Sequence, residues 1–176
     1  MNKDNLRREI EIFCASPCRF DRFMEDFSAL TDGVVTLRPA EMRPADPVRG
    51  RAPTYDFNIF AADADGNEVC VGGADMCIGY SELYYYGGNI GYEIDDEFRG
   101  HGYAGRACLL LRKVMRAHGM THVHIAAEPD NPASLRVCEK IGARFVREAD
   151  IPEDSDLYRQ GLRRVSIFDL ACGEER

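Results

Sequence analysis

Residues 99–105 read Arg-Gly-His-Gly-Tyr-Ala-Gly and stand directly before the clearest helix-forming run of the chain. Gly100, Gly102 and Gly105 make a Gly-x-Gly-x-x-Gly string, a spacing found in loops that hold phosphates. Such loops work because the first N–H groups of a helix have no partner within it and lie at the positive end of its dipole. A pyrophosphate satisfies both conditions. Glycine at 100 and 102 removes Cβ atoms that would hold phosphate oxygens off, and Arg99 adds a positive charge. Two further groups bear on the same place. Glu93, in Asn-Ile-Gly-Tyr-Glu-Ile (89–94) just upstream, is a candidate general base. Downstream, Asn-Pro-Ala-Ser (131–134) opens a second helix, with Asn131 and Ser134 as polar groups at its start.

The elements that must position these residues follow from periodicity. Apolar residues at helical spacing over 5–30 (Leu6, Ile10, Phe13, then Phe20, Phe23, Met24, Phe27, Leu30) predict two short helices that pack on something, broken by Ser-Pro-Cys. A first strand follows Asp32-Gly33, and the stretch 38–53 reads as a loop because Pro39, Pro44, Pro47 and Pro53 interrupt it. Residues 54–63 and 69–80 alternate and flank Asp65-Gly66, which predicts an antiparallel hairpin. Tyr84, Tyr85 and Tyr86 read as a hairpin rim, with a turn at Gly87-Gly88 and a strand over 89–94. After the glycine loop come a long helix ending at Gly119, a strand over 121–127, a short helix from Pro132 to Gly142, a strand over 143–148 and a last strand over 163–171. This order gives an α+β (mixed α/β) fold: a mostly antiparallel twisted sheet with one βαβ crossover in its middle.

Two other uses of the glycine string fail on context. A dinucleotide-binding loop has a point in its favour, since Glu128 ends the next strand where a ribose-binding acid belongs. Its first glycine, however, should follow the strand directly, and Asp-Asp-Glu-Phe-Arg separates Ile94 from Gly100. The hairpins before residue 89 also do not supply the repeated βα units of a doubly wound sheet. A kinase loop lacks every later signature that would go with it.

Arg99, Gly102 and Ala104, behind a strand and ahead of a long helix, match the Arg/Gln-x-x-Gly-x-Gly/Ala motif of the GNAT family, the Gcn5-related N-acetyltransferases, and the chain resembles that family. The family's second motif is present in register as Asn131, Ser134 and Gly142. The stretches 90–104 and 131–143 are most similar to the branch containing the ribosomal-protein acetyltransferases of the L7/L12-modifying kind. The resemblance covers about residues 68–148 and implies a GNAT-like domain over 31–176, with residues 1–30 as a helical extension packed on it. It further implies that acetyl-CoA enters a cleft where the strand ending at Ile94 splays from the strand over 121–127. The loop Arg99, Gly100, His101, Gly102, Tyr103 and Ala104 would then hold the pyrophosphate, Ile94 the pantetheine and acetyl group, and Asn131 the pantetheine arm or the loop itself.

Acetyl transfer to an amine needs a proton acceptor, an oxyanion donor and help for the departing thiolate. Glu93 is the candidate base. Many members of the family carry a tyrosine four residues after the Ser or Ala of the second motif, and here Cys138 stands there, so Ser134 is the candidate partner of the sulfur. His122 and His124 share a strand face, where a structural or exposed imidazole is the plainer reading. Tyr158 is a further hydroxyl ahead of the last strand. Arg38, Arg43, Arg49 and Arg51 suggest an acceptor with an anionic group beside its amine.

Composition bounds the partners. With 22 basic and 30 acidic residues the net charge is −8, which argues against nucleic acid and anionic membrane surfaces. No apolar run approaches a membrane span, and the charged start of the chain is no signal peptide, so a cytoplasmic location is expected. Cysteines 14, 18, 70, 77, 108, 138 and 172 show no metal-ligand spacing and read as reduced thiols, and no metal is expected. The function expected is acetyl-CoA-dependent transfer to a primary amine of a small molecule or a protein. The alternative is an acyl-CoA-binding or regulatory module without turnover. The phenylalanine-rich segment 20–30 either covers the domain's own sheet or meets a second copy in a homodimer.

Overall fold

The structure, a computed structural model, describes residues 3–173; the outermost residues of the expected extension and domain lie outside them. Helix α1 spans Lys3–Cys14. Strands β1 (Val35–Arg43), β2 (Thr54–Ala62), β3 (Glu68–Cys77) and β4 (Ile90–Ile94) form one antiparallel sheet in that order. A short helix α2 (Glu82–Gly87) separates β3 from β4. Helix α3 (Tyr103–Ala117) crosses to β5 (His122–Ala127), which heads a second sheet of order β5-β7-β6, with β6 at Arg144–Asp150 and β7 at Arg164–Ala171. Helices α4 (Pro132–Lys140) and α5 (Asp156–Arg159) sit in the connections. The α+β class, the antiparallel pairing and the crossover through α3 are those expected from periodicity. Among the described residues no helix is long and apolar enough to cross a membrane.

Alternation decides the two faces of the first sheet. In β2, Tyr55, Phe57, Ile59 and Ala61 point inward and are buried. They meet the stripe Ala107, Cys108, Leu111, Val114 and Met115 of α3, so the amphipathic helix covers that face. Asp56, Asp75, Gly91 and Glu93 lie on the opposite face. A second core under α1 and α2 gathers Phe13, Tyr84, Tyr85 and Tyr86 with Ile151, Val165 and Ile167.

Three expectations are corrected. Residues 20–30 are not helical: their phenylalanines are held by tertiary contacts around Tyr55 and His118. The Met24 N–H donates to Tyr55 Oη at 2.6 Å, Arg19 N–H donates to the His118 carbonyl at 2.8 Å, and Asp26 caps the Ser28 N–H in a local turn that competes with helix. The segment therefore covers the domain's own core. Strand β1 runs through Pro39 into the stretch read as a loop, because it is a sheet edge with a register shift between Pro39 and Glu41, where a missing N–H is tolerated. Tyr84, Tyr85 and Tyr86 form no hairpin rim; they lie in α2 and are buried.

The glycines of the loop divide by cause. Gly100 (φ 87°) and Gly102 (φ 80°) adopt left-handed backbone, and a Cβ on either would meet nothing within 4 Å. At Gly105 a Cβ would come 3.1 Å from Ile141 Cγ2, so this glycine lets α3 and α4 approach. We therefore expect Gly105→Val to cost about 1–3 kcal/mol through overpacking, read as a lowered Tm. Gly100→Ala should cost about 1–2 kcal/mol through backbone conformation alone.

Candidate functional site

Besides their shared core, the two sheets are bridged where β4 begins. Asn89 is 1% exposed; its N–H donates to the His124 carbonyl at 2.7 Å, and its Oδ1 accepts from the His124 N–H at 3.1 Å. Its Nδ2 donates to the Gly79 carbonyl at 2.7 Å, which fixes the side chain from behind. Beyond this clamp β4 is laddered only to β3 and β5 only to β7, so their facing edges stay unpaired and a wedge opens between them. Ile94, at the end of β4, borders an open depression of about 430 Å³ lined also by Glu93, Asp95, Asp96, Glu97 and Arg99.

The glycine loop folds over that mouth. A 3-10 turn at Asp96–Phe98 leads into it. Arg99 donates from Nε to the Ile94 carbonyl at 3.0 Å and pairs with Asp96 at 2.8 Å, so its side chain ties the loop to the end of β4. His101 donates from Nδ1 to the Phe98 carbonyl at 3.0 Å, stacks on Tyr103 and is exposed. Gly102 is the N-cap of α3 and supplies no side-chain cap, which leaves the first-turn amides at Tyr103 and Ala104 without one. An anion fits there by charge and by donor count.

Asn131 caps α4, its Oδ1 accepting from the Ser134 N–H at 3.1 Å. Ser134, in the first turn, faces β4, where the Tyr92 hydroxyl is buried against Ser134 and Cys138. That hydroxyl meets neither within hydrogen-bonding geometry and is an orphaned buried group. The Cys138 thiol is fully buried and pushed up to about 11 by that burial, so it is a protonated, packed thiol. Tyr92 was not a candidate in the sequence; only the approach of α4 to β4 reveals it.

Glu93 lies on the other face of β4, exposed. The same face carries a second carboxylate the sequence did not single out, Asp75 on β3, directly opposite Gly91. Of the arginines expected to favour an anionic acceptor, Arg38 pairs with Glu68 at 2.6 Å, Arg49 with Asp46 at 3.5 Å, and Arg43 forks onto Asp56 with two bonds of 2.7 Å. Three of the four thus neutralise carboxylates already in the protein. Tyr158 lies on α5 with the Arg163 guanidinium 3.8 Å above its ring.

His122 and His124 belong to the second core. His122 donates from Nδ1 to Asp169 at 2.6 Å, and its Nε2 meets Ser16 Oγ at 3.0 Å. His124 donates from Nδ1 to the Tyr85 carbonyl at 3.2 Å and stacks on Phe13 at 4.0 Å. Donor atoms of His122, His124 and Asp169 lie within 4.8 Å of one another, the one such cluster among the described residues that is able to hold a metal ion. The hydrogen bonds account for the arrangement as a tie between β5, β7 and α1.

Residues 29–144 match the family profile described as acetyltransferase (GNAT) domain. Among solved structures, the ribosomal-protein-S5-alanine acetyltransferase of Vibrio fischeri is 19% identical over 70% of this chain and 64% of that one, with a TM-score of 0.51. A GNAT-family acetyltransferase of Bacillus anthracis is 19% identical over 68% of this chain and 67% of its own, with a TM-score of 0.50. The chain thus spans just under two thirds of the Vibrio fischeri protein's length. At this identity the likeness is one of fold. No curated protein matches the sequence.

Burial lowers the His124 pKa from 6.5 to about 4. A histidine depressed in the folded state is neutral there and protonated sooner when unfolded. Its stabilising contribution is complete above about pH 6.5 and is lost as the pH falls toward 4. Urea melts at pH 7.5 and 4.5 should differ by about 2–3 kcal/mol from this group, and His124→Asn should flatten that difference.

Proposed function

The chain belongs to the GNAT acetyltransferase family, and on that premise we propose that it transfers an acetyl group from acetyl-CoA to a primary amine. The observation that carries this reading is the conjunction of the unpaired β4 edge with the uncapped start of α3 at its mouth. The amides of Gly102, Tyr103 and Ala104 hold the pyrophosphate, and the open space at Gly100 and Gly102 leaves its oxygens room. Arg99 braces the loop and contributes charge. The free edge of β4 up to Ile94 offers backbone groups to the pantetheine arm and to the acetyl carbonyl, whose developing negative charge an N–H there stabilises.

The coenzyme and the acceptor meet across β4. On the face shared with α4, Ser134 hydrogen bonds the departing sulfur, with the buried Tyr92 hydroxyl packed behind it. Cys138 only packs there, since its thiol is buried and held protonated. On the opposite face the acceptor amine approaches among carboxylates. Holding both reactants in register accounts for much of the acceleration expected. The acceptor is a small molecule or a protein N-terminus or lysine.

Acetyl-CoA binding measured by calorimetry, beside thiol release over a panel of primary amines, tests this. We expect binding and turnover in the wild type. Gly102→Val should weaken binding at least tenfold, because it strains the backbone and fills the cradle. Ser134→Ala should lower kcat by about 10²-fold with KM for acetyl-CoA unchanged, the scale of a lost proton donor. Tight binding without turnover on any amine would instead favour a non-catalytic acyl-CoA-binding module, and absence of binding would remove both readings.

A further inference from the structure

We propose that Asp75, on β3, is the group that receives the acceptor's ammonium and takes its proton, and that the acceptor is accordingly a cationic primary amine without a carboxylate or phosphate close to it. This rests on the acetyltransferase reading above and names the residue and substrate class of that site.

Position comes first. Asp75 is paired with Gly91 across the β3–β4 ladder, and Glu93 with Gly73, so both carboxylates lie on the face of β4 opposite Tyr92 and Ile94. The Asp75 carboxylate leans across Gly91: a Cβ there would come 2.4 Å from Asp75 Oδ1. Only glycine at 91 allows the carboxylate to lie against the backbone of the strand whose other edge opens to the cleft. Glu93, by contrast, is exposed at the mouth beside Asp95, Asp96 and Glu97.

Charge comes second. Asp56 stands directly opposite Asp75 on β2, and Arg43 from β1 is forked onto Asp56 through both of its bonds. One cation therefore serves two partly buried carboxylates, and no side chain among the described residues makes an ion pair with Asp75. The remaining neighbours are Cys77, two residues along β3, and Tyr84 on α2, which faces Cys77; the exposed Arg51 acts on Tyr84 and is not among the charges that act on Asp75. The site is one positive charge short, which is what an arriving ammonium supplies. A second anion on the acceptor would restore the imbalance, which is the physical basis for excluding one.

The step balances without a further reactant. Asp75 accepts one proton from the ammonium; the freed nitrogen lone pair forms the C–N bond at the thioester carbonyl. As the tetrahedral intermediate collapses the C–S bond breaks, the nitrogen's second proton passes to the departing thiolate by way of the Ser134 hydroxyl, which ends as it began, and Asp75 later releases its proton to solvent. Burial, and then the charge of Asp56, raise the Asp75 carboxyl above the ordinary carboxylate range, while Arg43 and the Gly91 amide pull it back. A base must be ionised, so kcat/KM should fall as the pH drops through that raised value. Because the folded protein holds this proton more tightly than the unfolded chain, Asp75 weakens the fold as the pH rises through the same window.

The experiment compares Asp75→Asn, Gly91→Ala and Glu93→Gln with the wild type in pH-rate profiles and acetyl-CoA calorimetry. Expected are a loss of at least 100-fold in kcat/KM for cationic amines with Asp75→Asn, disappearance of the acid limb, acetyl-CoA affinity within twofold of wild type, and an unchanged or raised Tm at pH 8. Gly91→Ala should lower kcat/KM at least tenfold by displacing the carboxylate, and Glu93→Gln less than tenfold. In the wild type, amines bearing an adjacent carboxylate should be at least tenfold poorer than their uncharged counterparts. An Asp75→Asn protein that keeps the wild-type rate and acid limb overturns the assignment, as does a Glu93→Gln protein that loses that limb instead. A wild type that binds no acetyl-CoA overturns the parent reading and this one with it, whereas retained binding with an unmoved profile overturns this one alone.

Discussion

The structure depends on the clamp between Asn89 and His124. The two sheets share a hydrophobic core that includes Val123, Ile125, Phe168 and Leu170 of the second, and their backbones meet at this pair of hydrogen bonds at the start of β4. Had the ladder continued, β4 and β5 would close into one sheet and no edge would be free. Because Asn89 turns its side chain to the β5 backbone and anchors its amide on the Gly79 carbonyl, pairing stops there. The price is a row of edge groups without strand partners, which a ligand with its own amides can satisfy.

From that wedge the division of labour follows by alternation. A strand shows successive side chains to opposite faces. In β4, Ile90, Tyr92 and Ile94 face α3 and α4, while Gly91 and Glu93 face the second side. The uncapped start of α3 and Ser134 are on the first side; the carboxylates of β2 and β3 are on the second. In the proposed reaction an anionic coenzyme and a cationic amine would approach one strand from opposite directions, each met by the opposite charge. The histidines do not enter this chemistry. They tie α1, the segment after it and α2 to the second sheet through Phe13, Ser16 and the Tyr85 carbonyl.

How much was legible in the sequence depended on whether the signal was local. The loop 99–104, the N-cap Asn131 and the alternation of β2 are set within a few residues, and all three were readable. Residues 20–30 misled because their apolar spacing is helical, whereas their donors are taken by Tyr55 Oη and the His118 carbonyl, residues distant in sequence. Pro39 misled in the other direction: a proline breaks a central strand but not an edge, and edge position is a property of the sheet.

The sequence by itself determined the family, the fold class and the glycine loop that opens α3, because each rests on short-range spacing that backbone geometry enforces. Only the tertiary structure decided the rest. It buried Tyr92 against Ser134 and Cys138, forked Arg43 onto Asp56, and left Asp75 over Gly91 to share that one cation without an ion pair of its own. Charge balance and orphaned hydroxyls are sums over neighbours that come from several strands, and no window along the chain contains those sums.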